Sequence, residues 1–225
     1  MSRDDILIEI TPQVLMKAYA CGIFPMAESA DDPALHWIEP QNRGVLPLDA
    51  VHIPKRLKRT IRTTELKVRI DTDYEGVIDG CAGSRDGRDS TWINSRIRSL
   101  YRELFKLGHC HTVEVWTGDK LVGGLYGVAL DGAFFGESMF SYERDASKIA
   151  LVYLAARLIH GGFRLLDTQF VTEHLKQFGT TEIDRTAFHR RLEHALGQGA
   201  DFHRLPLDTP PDDILRIIDA AHRKS

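Results

Sequence analysis

Within residues 121–170 the apolar positions switch from the two-residue period of strands to the 3.6-residue period of a helix, and back. Leu121–Leu130 and Ala133–Ser141 read as strands flanking Asp131-Gly132, a dipeptide suited to the left-handed backbone of a tight hairpin turn. Ile149, Val152, Tyr153, Ala156 and Ile159 then recur on one helix face, with Asp145 placed to cap the helix and Gly161-Gly162 to end it. Phe163–Phe170 returns as a short apolar strand. Three polar residues interrupt these runs. Glu137 lies between Gly136 and Ser138, among Phe134, Phe135, Met139 and Phe140. Asp167 and Gln169 are two apart and are expected to leave their strand on one face. A carboxylate in an apolar strand is costly without a partner or a ligand. The group therefore marks a candidate site, with satisfied hydrogen bonds to backbone as the plainer alternative.

The flanking chain is more broken. Thr11-Pro12 opens a helix that runs through Val14–Ala20 to Gly22, and Ile23–Met26 leaves it extended. His36–Pro40 and Arg43–Pro47 are short strand pieces interrupted by prolines. This punctuation predicts a small N-terminal α/β domain over residues 1–62 and a second domain over 63–225. Lys67–Ile70 is expected as a strand, Asp71–Ala82 as a short helix, and Arg85 and Arg88 as part of a charged loop. Asn94–Leu107 carries an apolar stripe of Ile97, Leu100, Tyr101, Leu104 and Phe105, and Cys110–Trp116 follows as a strand. Thr172–Phe178, Arg185–Leu196 and Asp212–His222 are further helical pieces. The order predicts an α+β fold in which helices flank a mostly antiparallel sheet.

Composition narrows the class. With 225 residues, 43% hydrophobic and 27% charged, the chain is of ordinary globular type. No apolar run is long enough to span a bilayer and Met1–Ile10 is no signal leader, so a cytoplasmic protein with no membrane partner is expected. Cys21, Cys81 and Cys110 are unpatterned and read as free thiols. A net charge of −3 requires any nucleic-acid contact to be local. His52–Arg62 offers such a patch: Lys55, Arg56, Lys58, Arg59 and Arg62 with no acid between them. It reads either as a solvated helix face or as a phosphate contact. His109 and His111 share a strand face, but nothing nearby in sequence has ligand spacing, so no metal is expected. Gly123, Gly124 and Gly127 lie inside a strand and mark close backbone approach, not a dinucleotide loop. Ser141 and Ser147 have no neighbouring histidine to activate them.

Two resemblances follow. The strand–strand–helix order is similar to that of acetyl-coenzyme A-dependent N-acetyltransferases. Their pyrophosphate turn, Q/R-x-x-G-x-G/A, corresponds here to Ser141-Tyr142-Glu143-Arg144-Asp145-Ala146, without glycine and with two acids. The sheet is thus expected to be shared and coenzyme A to be absent. More closely, the chain resembles bacterial leucyl/phenylalanyl-tRNA–protein transferases. The resemblance rests on Tyr19-Ala20-Cys21-Gly22-Ile23-Phe24-Pro25, Arg43-Gly44-Val45-Leu46, Thr91-Trp92-Ile93 and Gly108–Trp116. It continues through Leu121–Val128, Phe135-Gly136-Glu137-Ser138-Met139-Phe140-Ser141, Ala146-Ser147-Lys148 and Leu166-Asp167-Thr168-Gln169.

The resemblance implies a small N-terminal domain followed by an acetyltransferase-like (GNAT-like) domain. It implies transfer of Leu or Phe, less readily Met, from aminoacyl-tRNA to proteins with N-terminal Arg or Lys, creating a degradation signal. Such an enzyme needs no cofactor and no metal, and a monomer is expected. Asp167 would orient and activate the attacking amine, directly or through Gln169, and Glu137 would hold the α-amino group of the transferred residue. Met139, Gly136, Ser141 and Leu166 would form the side-chain pocket, Trp37 and Trp92 would flank the terminal adenosine, and Lys55–Arg62 would hold the acceptor stem. Thr172 stands where some members have asparagine, Leu125 where some have methionine, and Leu154 and Leu158 where some have phenylalanine. The alternatives are an acyl-coenzyme A N-acyltransferase and a non-catalytic tRNA-binding module.

Overall fold

Local signals set most of the element ends. The computed structural model describes residues 10–83 and 91–223; the leader reading at 1–9 and the loop of Arg85 and Arg88 lie outside them. The Thr11 hydroxyl accepts from the Val14 N–H at 3.3 Å and starts helix α1 (Pro12–Ala20). Strands β1 (Phe24–Met26), β2 (His36–Ile38) and β3 (Asn42–Val45) follow, then α2 (Lys55–Thr63), β4 (Lys67–Ile70) and α3 (Tyr74–Ala82). Asn94 caps α4 (Ser95–Lys106) through the Ile97 N–H. Strands β5 (Cys110–Thr117), β6 (Lys120–Leu130) and β7 (Ala133–Ser141) form the expected meander, with Asp131 left-handed at φ +48° in the hairpin turn. Helix α5 (Ala146–Gly161) ends at the left-handed Gly162 and leads to β8 (Leu165–Gln169). The chain closes with α6 (Glu173–Lys176), β9 (Thr181–Asp184), α7 (Arg185–Ala195) and α8 (Pro211–Ala221).

Among the described residues, seven strands make one mixed sheet in the order β4-β5-β6-β7-β8-β3-β9. All of its pairings are antiparallel except β7 with β8. Helices cover both faces. Leu57 of α2, Ile149 and Leu154 of α5, and Ile214 and Ile218 of α8 bury against one face. Leu15 of α1, Val77 of α3, Ile97 of α4 and Phe188 of α7 bury against the other. The segment before residue 63 is distributed through this body. Helix α1 joins one core, α2 the other, and β3 lies between β8 and β9. The expected boundary at residue 62 therefore falls inside elements that share the large sheet's cores.

Three local details differ from the sequence reading. Asp145 does not cap α5; it is left-handed at φ +65° and turns its carboxylate to Arg56 and Lys148. The Ser141 hydroxyl accepts from the Ser147 N–H instead, at 3.2 Å. Strand β9 carries no apolar alternation and was not expected. Finally, Tyr126 pairs with Ser138 and Gly127 with Gly136, so Glu137 is the unopposed residue of a bulge. That single extra residue reverses the alternation of β7. Phe134 and Met139, five apart, face the α5 side, and Phe135 and Phe140 face the other. The in-strand glycines allow close approach, as expected: a side chain at Gly123 would stand 2.5 Å from the Ala146 Cβ.

Candidate active site

The parallel pair creates the site by coming apart. Strands β7 and β8 pair from Ala133 with Leu165 to Phe135 with Asp167, and no further. Beyond that point β7 stays with β6 while β8 bends toward β3. A cavity of about 530 Å³ opens at the C-terminal end of the parallel pair, the usual place for a ligand between parallel strands. Phe24 and Met26 of β1 and Trp92 line it on one side; Leu125, Met139, Leu154 and Leu166 make an apolar wall on another.

Glu137 projects from the bulge into this cavity. Its carboxylate accepts from the Tyr19 hydroxyl at 2.6 Å, from Tyr101 at 3.1 Å and from the Gln169 side-chain amide at 3.1 Å. The two tyrosine hydroxyls also bond to each other. No cation touches this carboxylate among the described residues. Burial pushes its pKa up to about 7, the tyrosine and glutamine bonds pulling against that and the charge of Asp167 adding to it. The same burial and the Glu137 charge hold Tyr19 and Tyr126 well above the usual phenol range.

Asp167 lies in a different setting, fully buried and behind the cavity wall. The Arg43 guanidinium donates to both its oxygens, Nε to Oδ1 at 2.9 Å and Nη2 to Oδ2 at 2.6 Å. Oδ1 also accepts from the Gln169 backbone N–H at 2.8 Å. Arg43 in turn donates to the Gly22 carbonyl at 2.8 Å and lies against the Phe24 and Phe188 rings. Gln169 is left-handed at φ +61°, and Thr168 is unopposed between the Gly44–Gln169 and Val45–Asp167 pairs. Simple alternation is interrupted there, so Asp167 meets Arg43 while Gln169 meets Glu137.

The cavity thus gathers Glu137, Gln169, Trp92, Gly136, Met139, Ser141, Leu125, Leu154 and Leu166 from the sequence-derived set. Trp37, Leu158 and Asp167 do not line it. Trp37 is exposed on β2 opposite Pro25, and Leu158 is sealed in the α5 core. Of the basic patch, Arg56 pairs with Asp145, Lys58 with Asp219 and Arg62 with Asp212. Lys55 and Arg59 have no acidic partner among the described residues. Sequence reasoning missed Tyr19 and Tyr101 as carboxylate ligands, Arg43 as the Asp167 partner, and His174 in the wall. By spacing Tyr101 belongs to the apolar stripe of α4; only its hydrogen bond to Glu137 distinguishes it.

A mixed sheet between two helical layers, with an apolar cleft ending in a half-buried carboxylate, defines an enzyme-type site. Comparison with known proteins makes the assignment particular. Residues 45–193 match the family model for leucyl/phenylalanyl-tRNA protein transferase, and residues 8–41 match the model for its N-terminal domain. A leucyl/phenylalanyl-tRNA–protein transferase of Nitrobacter winogradskyi is 60% identical over 225 residues, covering 100% of both chains. One from Afipia carboxidovorans is 58% identical over 219 residues, covering 96% of each. A solved structure of a conserved protein of unknown function from Staphylococcus epidermidis aligns at TM-score 0.39 and 14% identity, over 78% of this chain and 65% of that one, too distant to assign the fold. The chain belongs to the leucyl/phenylalanyl-tRNA–protein transferase family. No helix among the described residues is long and apolar enough to cross a membrane.

Proposed function

We propose that this protein transfers leucine or phenylalanine, and less readily methionine, from aminoacyl-tRNA to the N-terminal amine of proteins that begin with Arg or Lys. The observation that carries the reading is Glu137 on its bulge, at the end of an apolar wall formed by Leu125, Met139, Leu154 and Leu166. A Leu or Phe side chain fits the wall while its α-amino group reaches the carboxylate. Each missing methylene should cost the transition state only ~1–3 kcal/mol, so related apolar residues are discriminated weakly.

Aminolysis of an aminoacyl ester is downhill, and the enzyme's task is chiefly to position a neutral amine against the carbonyl. Glu137 and Gln169 touch the substrate in this reading. Asp167 has its oxygens committed to Arg43 and to the Gln169 N–H, which supports a positioning role exerted through Gln169. Trp92 stacks the terminal adenosine, Trp37 stands outside the cavity on the neighbouring strand, and Lys55 with Arg59 leads the acceptor-stem contact. The splayed parallel pair supports an acetyltransferase-like sheet. The turn before α5, Ser141–Ala146, has no glycine to bring its backbone against a diphosphate, which disfavours coenzyme A. Charged tRNA is the donor, so the cytoplasm is the site of action.

The test mixes the protein with radiolabelled leucyl-tRNA and a peptide beginning with Arg, with an Ala-initiated peptide as control. Label should enter only the Arg peptide and fall at least ~100-fold in Glu137→Gln. Tight tRNA binding without transfer would overturn the enzyme reading and leave a binding module.

A further inference from the structure

A second cluster lies outside the transfer site. Asp71, left-handed at φ +56° after β4, His111 of β5 and His203 in the loop between α7 and α8 come from distant points of the chain. One donor atom from each lies within 4.8 Å of the others. Asp71 Oδ2 is 2.8 Å from His111 Nδ1 and 3.4 Å from His203 Nε2. We propose that Asp71, His111 and His203 bind one divalent cation of the zinc class, with water completing the coordination.

The donors match that chemistry. Two imidazoles and a carboxylate suit zinc, at ~2.0–2.2 Å from each donor atom, which places tetrahedral ligands ~3.3–3.5 Å apart. The Asp71–His203 separation already meets this, and the Asp71–His111 contact needs to widen by about half an ångström. The carboxylate has an outer hydrogen bond of the kind metal ligands usually carry, and the two histidines are placed by packing and by the main chain. Asp71 Oδ1 accepts from the Thr112 N–H at 2.6 Å, which leaves Oδ2 for the ion. The His111 ring stacks on Phe202 at 4.0 Å and 13°. The His203 main-chain N–H donates to Asp201 Oδ1 at 2.8 Å. A cavity of about 350 Å³, lined by His109, His111, Asp131, Asp201 and His203 among others, gives water access to the open position.

The surrounding charges are mixed. Asp201 favours a cation there, while the Arg157 guanidinium, over the Phe202 ring, opposes it. Arg157 is committed to the Phe202 and Leu205 carbonyls, both at 2.9 Å, so it braces the same loop from behind. The two cavities share no lining residue. The ion would clasp the loop at 201–205 to β5 and take no part in aminoacyl transfer.

The experiment titrates chelator-treated full-length protein with zinc alone, measuring bound metal after gel filtration and the thermal midpoint. One ion per chain is expected, with the midpoint rising by roughly 5–10 °C at a hundredfold excess over Kd. His203→Ala, at an exposed position, should fold normally and lose both effects; Asp71→Asn should lose them while keeping the Thr112 contact. Cobalt(II) should give four-coordinate visible bands without a sulfur-to-metal charge-transfer band, which separates this site from the three cysteines. Undiminished binding in His203→Ala, a sulfur charge-transfer band, or no retained metal would each overturn the proposal.

Discussion

Two carboxylates on neighbouring strands, Asp167 buried and Glu137 half-buried at the cavity, have opposite surroundings. Asp167 faces a guanidinium that neutralises it and satisfies both oxygens. Glu137 is surrounded by neutral donors, two phenols and an amide, and its pKa is pushed up to about 7. A guanidinium that occupies both oxygens holds a carboxylate in place and makes it a brace. Neutral donors leave it near its proton-exchange point and open to an incoming amine. In the proposed reading that difference assigns substrate contact to Glu137 and bracing to Asp167, although both lie in apolar strands and look alike in sequence.

The largest effect should come from breaking the brace. Arg43→Ala leaves Asp167 charged, buried and unpaired, which typically costs about 3–5 kcal/mol. Urea denaturation at pH 7 measures it. Asp167→Asn in the Arg43→Ala background should recover part of that loss, because the uncompensated charge is gone. Equal and additive losses in the two single variants and the double would mean that the pair does not act as a unit.

Glu137 should show the reverse pattern, a large activity loss with little stability loss. Its carboxyl titrates near 4.5 in an unfolded chain and near 7 in the fold. Between those values the folded protein holds more proton than the unfolded chain, so stability falls as pH rises through the window. Allowing for its opening to the cavity, the loss is about 1–2 kcal/mol. Glu137→Gln should flatten that slope and match or exceed the parent's stability at pH 8. A parent protein whose stability is level from pH 5 to pH 8 would contradict the poised carboxylate. A smaller effect belongs to the apolar wall: Met139→Ala enlarges it and should move the Phe-to-Leu transfer ratio toward Phe by about tenfold, ~1–2 kcal/mol. Competition between the two charged tRNAs measures that ratio.

The contrast was only half legible in the sequence. The α1 cap, the Asp131 hairpin and the Asp-x-Gln pair are local signals and are visible as strings. The bulge at Glu137 is not, because one unopposed residue alters neither composition nor β-propensity. It reveals itself only in the five-residue spacing by which Phe134 and Met139 share a face. Arg43 lies 124 positions from Asp167, and a pairing at that distance leaves no local trace. The same blindness affected the basic helix. Its acids come from Asp145, Asp212 and Asp219, so a stretch without acids proved partly neutralised.

That helix gives the smallest and most discriminating version of the comparison. If pairing separates braces from contacts, the cations of α2 should not contribute equally to tRNA binding. A phosphate contact releases counterions, and each one adds ~0.7–0.9 to the slope of log affinity against log salt. An exposed ion pair is worth about 0.2–1 kcal/mol, comparable with one such contact, so a paired cation gains little by exchanging its partner for phosphate. Lys55→Ala and Arg59→Ala should therefore each lower the salt slope by nearly one contact's worth. Arg62→Ala, whose Nε is 2.7 Å from Asp212 Oδ1, should lower it by less than half as much. Asp212→Asn, by releasing Arg62, should raise it. Slopes measured by anisotropy of labelled leucyl-tRNA across a salt series decide the matter. A uniform decrease for every cation of the helix would show that the acids of α8 yield freely to phosphate, and that pairing marks function only where water is excluded.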